Sequence, residues 1–230
     1  MLTVNRQSPN VRLEALSDGV FSIAMTLLGL DLTASVHNGG PLANVLARGW
    51  PSYFAFVTSF VSVNIIWINH HRLFRHISHA DHMLLVWNGL LLMMVTLVPF
   101  ATVVLAQHLA KAQDGEVAAM VYSGVFAALT GTFNLLWRHA WHHQLLHDVV
   151  DARVIRLTNI RFGFGGTLYL IAFCVAPISP RASVVIDLLF VGFFALPLMR
   201  SRNGGTRGIK TRPHRSARRH AGAPATASLP

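Results

Sequence analysis

The sequence predicts an all-α, polytopic membrane protein with six transmembrane helices, and three observations carry that expectation. Hydrophobic residues make up 53% of the 230 and charged residues only 12%, where soluble domains average about 25% charged. Six windows, 13–32, 52–73, 83–107, 117–137, 160–178 and 182–199, approach or reach the ~20 mostly apolar residues a membrane helix needs. Sixteen of the nineteen Lys and Arg residues fall at the N-terminus, in the second and fourth connections together with the window edges that border them (Arg72 and Arg161), or after the last window. The remaining connections hold only Arg48, Lys111 and Arg181. Under the positive-inside rule this puts both termini in the cytoplasm, and an even number of spans agrees.

The first window opens as "LEALSDGVFSIAMTLLGL", with Asp18 just before a nearly unbroken apolar run. At about 100° per residue, Ala15, Asp18, Gly19, Ser22, Thr26 and Gly29 share one small, polar face. Leu16, Ile23, Leu27 and Leu30 form a separate, narrow aliphatic stripe. Leu28 points elsewhere by angle and is expected to tolerate substitution. A small face lets helix backbones approach closely in a membrane, and Ser or Thr can bond across it. A carboxylate there points at protein or water, never lipid, so Asp18 is a candidate for packing or for ion contact. A cleaved signal peptide is the alternative, since "LTASV" resembles a cleavage site. Glu14 and Asp18 argue against it, because such peptides have a basic entry and an apolar middle.

The stretch "HNGGPLANVLARGWP" reads as a turn followed by a short interfacial helix, with Trp50 and Tyr53 at headgroup level. The second window ends in "WINHHRLF", where Arg72 and Arg75 mark the boundary. The last two windows are joined by "APISPRAS", whose Pro177 and Pro180 make a tight hairpin. The first and last windows are the weakest, one interrupted by Asp18, the other short and carrying Asp187.

Residues 1–199 are thus expected to form a six-helix transmembrane domain, and 200–230 a basic cytoplasmic tail. The tail is rich in Arg, Gly and Pro and poor in apolar residues, which predicts disorder. Its charge is explained by anionic lipid headgroups at the inner surface, so no nucleic-acid partner is expected despite the net charge of +10. Cys174, the single cysteine, sits in an apolar run and is expected to pack as a small buried hydrophobe.

The stretch "RLEALSDGVFSIAMTLL" resembles the R-x-x-x-F-S-D signature on the first helix of the transmembrane protein 175 family, the endolysosomal potassium channel and its bacterial homologues. Arg12, Ser17 and Asp18 match, and Leu16 stands where the signature has phenylalanine. The likeness continues through "WINHHRLFRHI", "NGLLLMMVTLVPF" and the six-span layout. The resemblance implies a homotetramer in the cell membrane whose first helices line a potassium-permeable pathway, modestly selective over sodium and without a Thr-Val-Gly-Tyr-Gly filter. It implies a pore constriction at Ile23, Leu27 and Leu30, an ion-preference layer at Thr26 and Ser22, and a structural role for Arg12, Ser17 and Asp18 behind the pore. Trp67, His71, Asn64 and Asn88 are the expected partners of that motif. Aliphatic rings of this kind close a pore by excluding water.

Nine of thirteen histidines lie in the second and fourth connections or, as His70 and His71, at the window edge beside them, with His139, His143 and His147 at i,i+4 spacing. Such pairs can hold a metal, but no Cys or Glu accompanies them in the usual pattern, so no metal or other cofactor is expected beyond the permeant potassium ion. No nucleophile–base pair, phosphate motif or paired carboxylate points to an enzyme. A proton- or cation-coupled secondary transporter using Asp18 and histidines is the competing reading, although inverted repeats and paired broken helices are missing.

Overall fold

A computed structural model describes residues 9–34, 41–109, 114–147 and 152–200. Seven helices follow in order: α1 (Pro9–Ala34), α2 (Leu42–Arg48), α3 (Trp50–Phe74), α4 (His82–His108), α5 (Gly115–His142), α6 (Ala152–Val175) and α7 (Pro180–Arg200). Among the described residues, five stretches are long and apolar enough to cross a membrane: Val11–Leu30, Trp50–Phe74, His82–His108, Gly115–His142 and Ile155–Val175. Helices suit hydrocarbon because every interior backbone N–H and C=O is satisfied within the segment. α2 is the short helix expected before Trp50, and α7 covers the sixth window. The tail after Arg200 lies outside the described residues.

α6 starts eight residues before its apolar window. Hydropathy marks where lipid begins, whereas the helix continues through Arg153 and Arg156. α5 likewise runs on to His142, then stops as Gln144 takes the left-handed conformation (φ 54°) and Leu145 N–H reaches the Ala140 carbonyl. That is the usual geometry of a helix C-terminus, at a position where glycine is more common.

α4 is the spine of the bundle, packed on α1, α3 and α5. Its buried Leu84, Leu91, Val95, Val98 and Leu105 recur at helical spacing. α5 meets α6 closely at Gly124, where a Cβ would come within 3.3 Å of the Phe173 ring. Trp137, fully buried, donates its indole N–H to Asn159 Oδ1 at 2.6 Å, and Asn134 donates to the Phe162 carbonyl. Cys174 does not pack inward; it is exposed on the outer side of α6. An apolar run on a membrane helix has a face for lipid or a neighbour as well as one for the core.

Two connections close on each other at one end of the bundle. Ile77 and Leu146 form an isolated antiparallel bridge, flanked by Ser78 N–H to Leu145 O and His147 N–H to His76 O. Arg72, Arg75 and Arg138 therefore gather at the same end, together with the start of α1, where Glu14 lies 3.9 Å from His71.

Candidate functional site

α1 packs on α3 and α4. The face it commits to them is Leu13, Ser17, Phe21, Ala24 and Leu28, all 8% exposed or less. Spacings of three and four residues put these on one side of the helix. Leu28, expected to be tolerant, is 1% exposed and part of the core. Angle separates it from Leu27 correctly; the side it turns toward is packed protein.

Polar groups on this buried face are tied down. Ser17 Oγ–H donates to the Leu13 carbonyl at 2.9 Å and accepts from Asn88 Nδ2–H at 3.1 Å. Asn88 Oδ1 lies 2.8 Å from His70 Nε2. Because that amide oxygen can only accept, the proton of neutral His70 sits on Nε2. His70 is 1% exposed, its ring stacked on Phe74 at 4.4 Å and tilted against Phe21 at 5.4 Å. On the flank, Trp67 donates its indole N–H to Asp18 Oδ1 at 2.8 Å. The α1 carboxylate thus faces α3 and not the open side of its helix.

Among the other expected partners, His71 is exposed, lies 3.9 Å from Glu14 and stacks on Trp67. Asn64 is half-buried on α3, and among the described residues no hydrogen bond joins it to Ser17 or Asp18. Arg12 is exposed at the basic end. His70 is the residue that sequence reasoning missed. Its signal was in the register of α3: Ser59, Val63, His70 and Phe74 share one buried stripe, which His71 leaves by about 100°.

The opposite side of α1 is open among the described residues. Leu16, Ile23, Leu27 and Leu30 are 60%, 58%, 41% and 63% exposed, side by side with exposed Ser22 and Thr26. The Thr26 hydroxyl donates to the Ile23 carbonyl at 2.8 Å. The aliphatic stripe and the small polar face form one continuous surface, three to four turns long, on a helix whose back is locked to α3 and α4. A surface of that kind suits contact with other copies of the helix around an axis, and its aliphatic part can exclude water.

At the basic end, Asp81 caps α4 by accepting from Leu84 N–H at 2.7 Å, and its carboxylate takes His139 Nε2 at 2.8 Å. His139 stacks on His143 at 4.3 Å. Burial pushes the Asp81 carboxyl upward, but these hydrogen bonds to the charged form outweigh it and hold the group below its ordinary value. Asn88 lies two turns further along α4 from this cap.

Comparison with known proteins meets the same residues. A profile described as endosomal/lysosomal potassium channel TMEM175 matches residues 12–99, a span that includes both Arg12 and Asn88. A potassium channel of Chamaesiphon minutus is 43% identical over 201 residues, 85% of this chain and 98% of that one. The chain belongs to the TMEM175 family. A potassium channel of Streptomyces collinus is 41% identical over 193 residues, covering 81% of this chain and 93% of its own. The crystal structure of a lysosomal potassium-selective channel TMEM175 homologue from Chamaesiphon minutus superposes with a TM-score of 0.72 at 42% identity, over 83% of this chain and 98% of that one. As a TMEM175 member with five helices long and apolar enough to cross a bilayer, the chain is a multi-pass membrane protein.

Proposed function

We propose that the protein is a potassium-permeable cation channel of the cell membrane, built as a homotetramer of six-span subunits with α1 lining a central pathway. The observation that carries this reading is the face of Leu16, Ile23, Leu27 and Leu30, largely exposed on a helix whose other side is fixed by its own subunit. Two bacterial relatives named as potassium channels support it. In this reading α7 is the sixth span and both termini are cytoplasmic, as the Lys and Arg distribution requires. The tail at 200–230 then lies on anionic headgroups. Ile23, Leu27 and Leu30 form stacked aliphatic rings that dewet when closed, and Thr26 with Ser22 supplies the hydroxyls that favour potassium over sodium. Arg12, Ser17 and Asp18 hold the helix from behind. Nothing in this arrangement calls for catalysis or a bound cofactor.

Reconstitution into liposomes tests the proposal. Under a potassium gradient the reversal potential follows the potassium Nernst potential in part, with sodium also permeating, and unitary currents are resolved. Flux that saturates at carrier rates without unitary currents would overturn it in favour of a coupled transporter.

A further inference from the structure

A second polar node lies where α5, α6 and α7 meet. Ser123, Ser183 and Asp187 are buried there, at 0%, 0% and 2% exposure. Ser123 Oγ is 2.8 Å from Asp187 Oδ2 and 3.1 Å from Ser183 Oγ, and Ser183 Oγ is 2.9 Å from the Ala172 carbonyl oxygen. Among the described residues Asp187 Oδ1 has no hydrogen-bond partner. Among the described residues no cation pairs with this carboxyl group. The titratable groups that face it are the phenols of Tyr122 on α5 and Tyr169 on α6, both buried and neither a source of positive charge.

Each of the three oxygen–oxygen contacts needs a proton between its atoms, and each serine hydroxyl has one to give. The Ala172 carbonyl can only accept, so Ser183 donates to it. Ser183 then has no proton for Ser123, so Ser123 donates to Ser183. Ser123 in turn has none for Asp187, and the proton in the 2.8 Å contact comes from the carboxyl group itself. With an ionised carboxylate, two protons would serve three contacts. A charge would also be buried without a counter-ion, one oxygen facing nothing, which is the costliest arrangement for a polar group in a protein interior.

We infer that Asp187 is a proton-binding site, occupied at neutral pH, whose Oδ2–H donates to Ser123 at the head of a one-way chain, Asp187 to Ser123 to Ser183 to the Ala172 carbonyl. The chain fastens α7 to α5 and α6. A carboxyl group that keeps its proton offers no charge to a passing cation, so Asp187 is a fastener and not an ion ligand. Asp18, on α1, is a separate case with a Trp donor to its oxygen.

Infrared spectroscopy of the full chain in lipid at neutral pH tests this, with aspartate labelled by carbon-13 at the side-chain carboxyl. A label-sensitive carboxylic acid C=O band is expected in the unmutated protein. It disappears in Asp187→Asn, whose amide N–H can replace the donated proton and preserve the fold. In Ser123→Ala the band moves to higher wavenumber as the acid loses its acceptor. A spectrum in which all seven aspartates are carboxylates would overturn the inference, and so would an acid band unchanged in Asp187→Asn. Should Asp187→Asn fail to assemble, Ser123→Ala decides, an unmoved band again overturning the assignment.

Discussion

Asp18 and Trp67 meet through one hydrogen bond of 2.8 Å, half-buried between α1 and α3. Asp18→Ala and Trp67→Phe each remove it, and such bonds in membrane proteins are worth about 0.6–2 kcal/mol. Each variant is therefore expected to weaken folding or assembly by that order, and Asp18→Asn, which keeps an acceptor, by less. In a double-mutant cycle the pair should cost less than the sum of the singles; strict additivity in the thermal melts would mean the bond carries no coupling. Asp81 makes a prediction of the opposite kind, because it titrates outside the membrane spans. Its folded value is depressed below the ~3.9 of a free aspartate, so its stabilisation is present above that value and is lost as pH falls through the folded one. Asp81→Ala should cost roughly 0.5–2 kcal/mol at neutral pH through the lost cap, and the gap to the unmutated protein should close on acidification below about pH 4. Asp81→Asn still caps the helix but has no charge for His139, so its loss at neutral pH should be smaller than that of Asp81→Ala, and it too should shrink as the unmutated carboxyl takes up its proton. Melting curves of the three proteins from neutral to acid read this directly, and a gap that widens on acidification would contradict the sign.

Elements show what periodicity can and cannot disclose. Six apolar windows were legible because length and hydropathy are local properties, and each has a helix over it. The start of α6 was not, because a helix continues into the basic layer where hydropathy falls. The α1 aliphatic stripe was legible by angle, but its surroundings were not. Seen from the sequence, Leu27 and Leu28 differ only in direction; seen in the fold, one is 41% exposed and the other 1%. Leu28→Ala is accordingly expected to destabilise the subunit by about 2–5 kcal/mol, as buried Leu-to-Ala changes do, with Leu27→Ala well below that. Denaturation in detergent separates them, and equal losses would mean the α1 face is assigned to the wrong side. The polar ties resisted reading for a different reason. Ser17 and Asn88, or Ser123 and Asp187, are more than sixty residues apart, and no short-range pattern pairs them. The two adjacent histidines "HH" illustrate the limit within one motif. The stripe through Ser59, Val63 and Phe74 selects His70 once it is known which side α4 occupies, and nothing in the triplet spacing alone says so.

At the scale of the whole molecule, one side of α1 is bonded to its own subunit and the other is exposed among the described residues, so the conduction hypothesis becomes a question about symmetry. In the proposed tetramer, four copies of the Ile23–Leu27–Leu30 stripe around an axis would give three stacked rings, each offering water no hydrogen bond. Water in such a constriction is unstable, and ions shed more hydration there than the wall can replace. Ile23→Asn places amide groups in the ring, lowers the wetting barrier and should raise basal conductance. Ile23→Ala widens the ring and should do the same, with poorer discrimination between potassium and larger cations. The sharper test is single cysteines along 20–30 in a background with exposed Cys174 replaced, each treated with a water-soluble thiol reagent during recording. Block is expected to peak at 23, 27 and 30 and to be absent at 21, 24 and 28, whose side chains are buried against α3 and α4. Ser22 and Thr26 lie beside the stripe on the same open surface, so partial block there is compatible with a pathway that includes hydroxyls. A maximum at 22, 26 and 29 with silence at 23 and 27 would put the small polar face on the axis. The aliphatic stripe would then lie between neighbouring subunits, and the pore would be lined by hydroxyls and backbone alone.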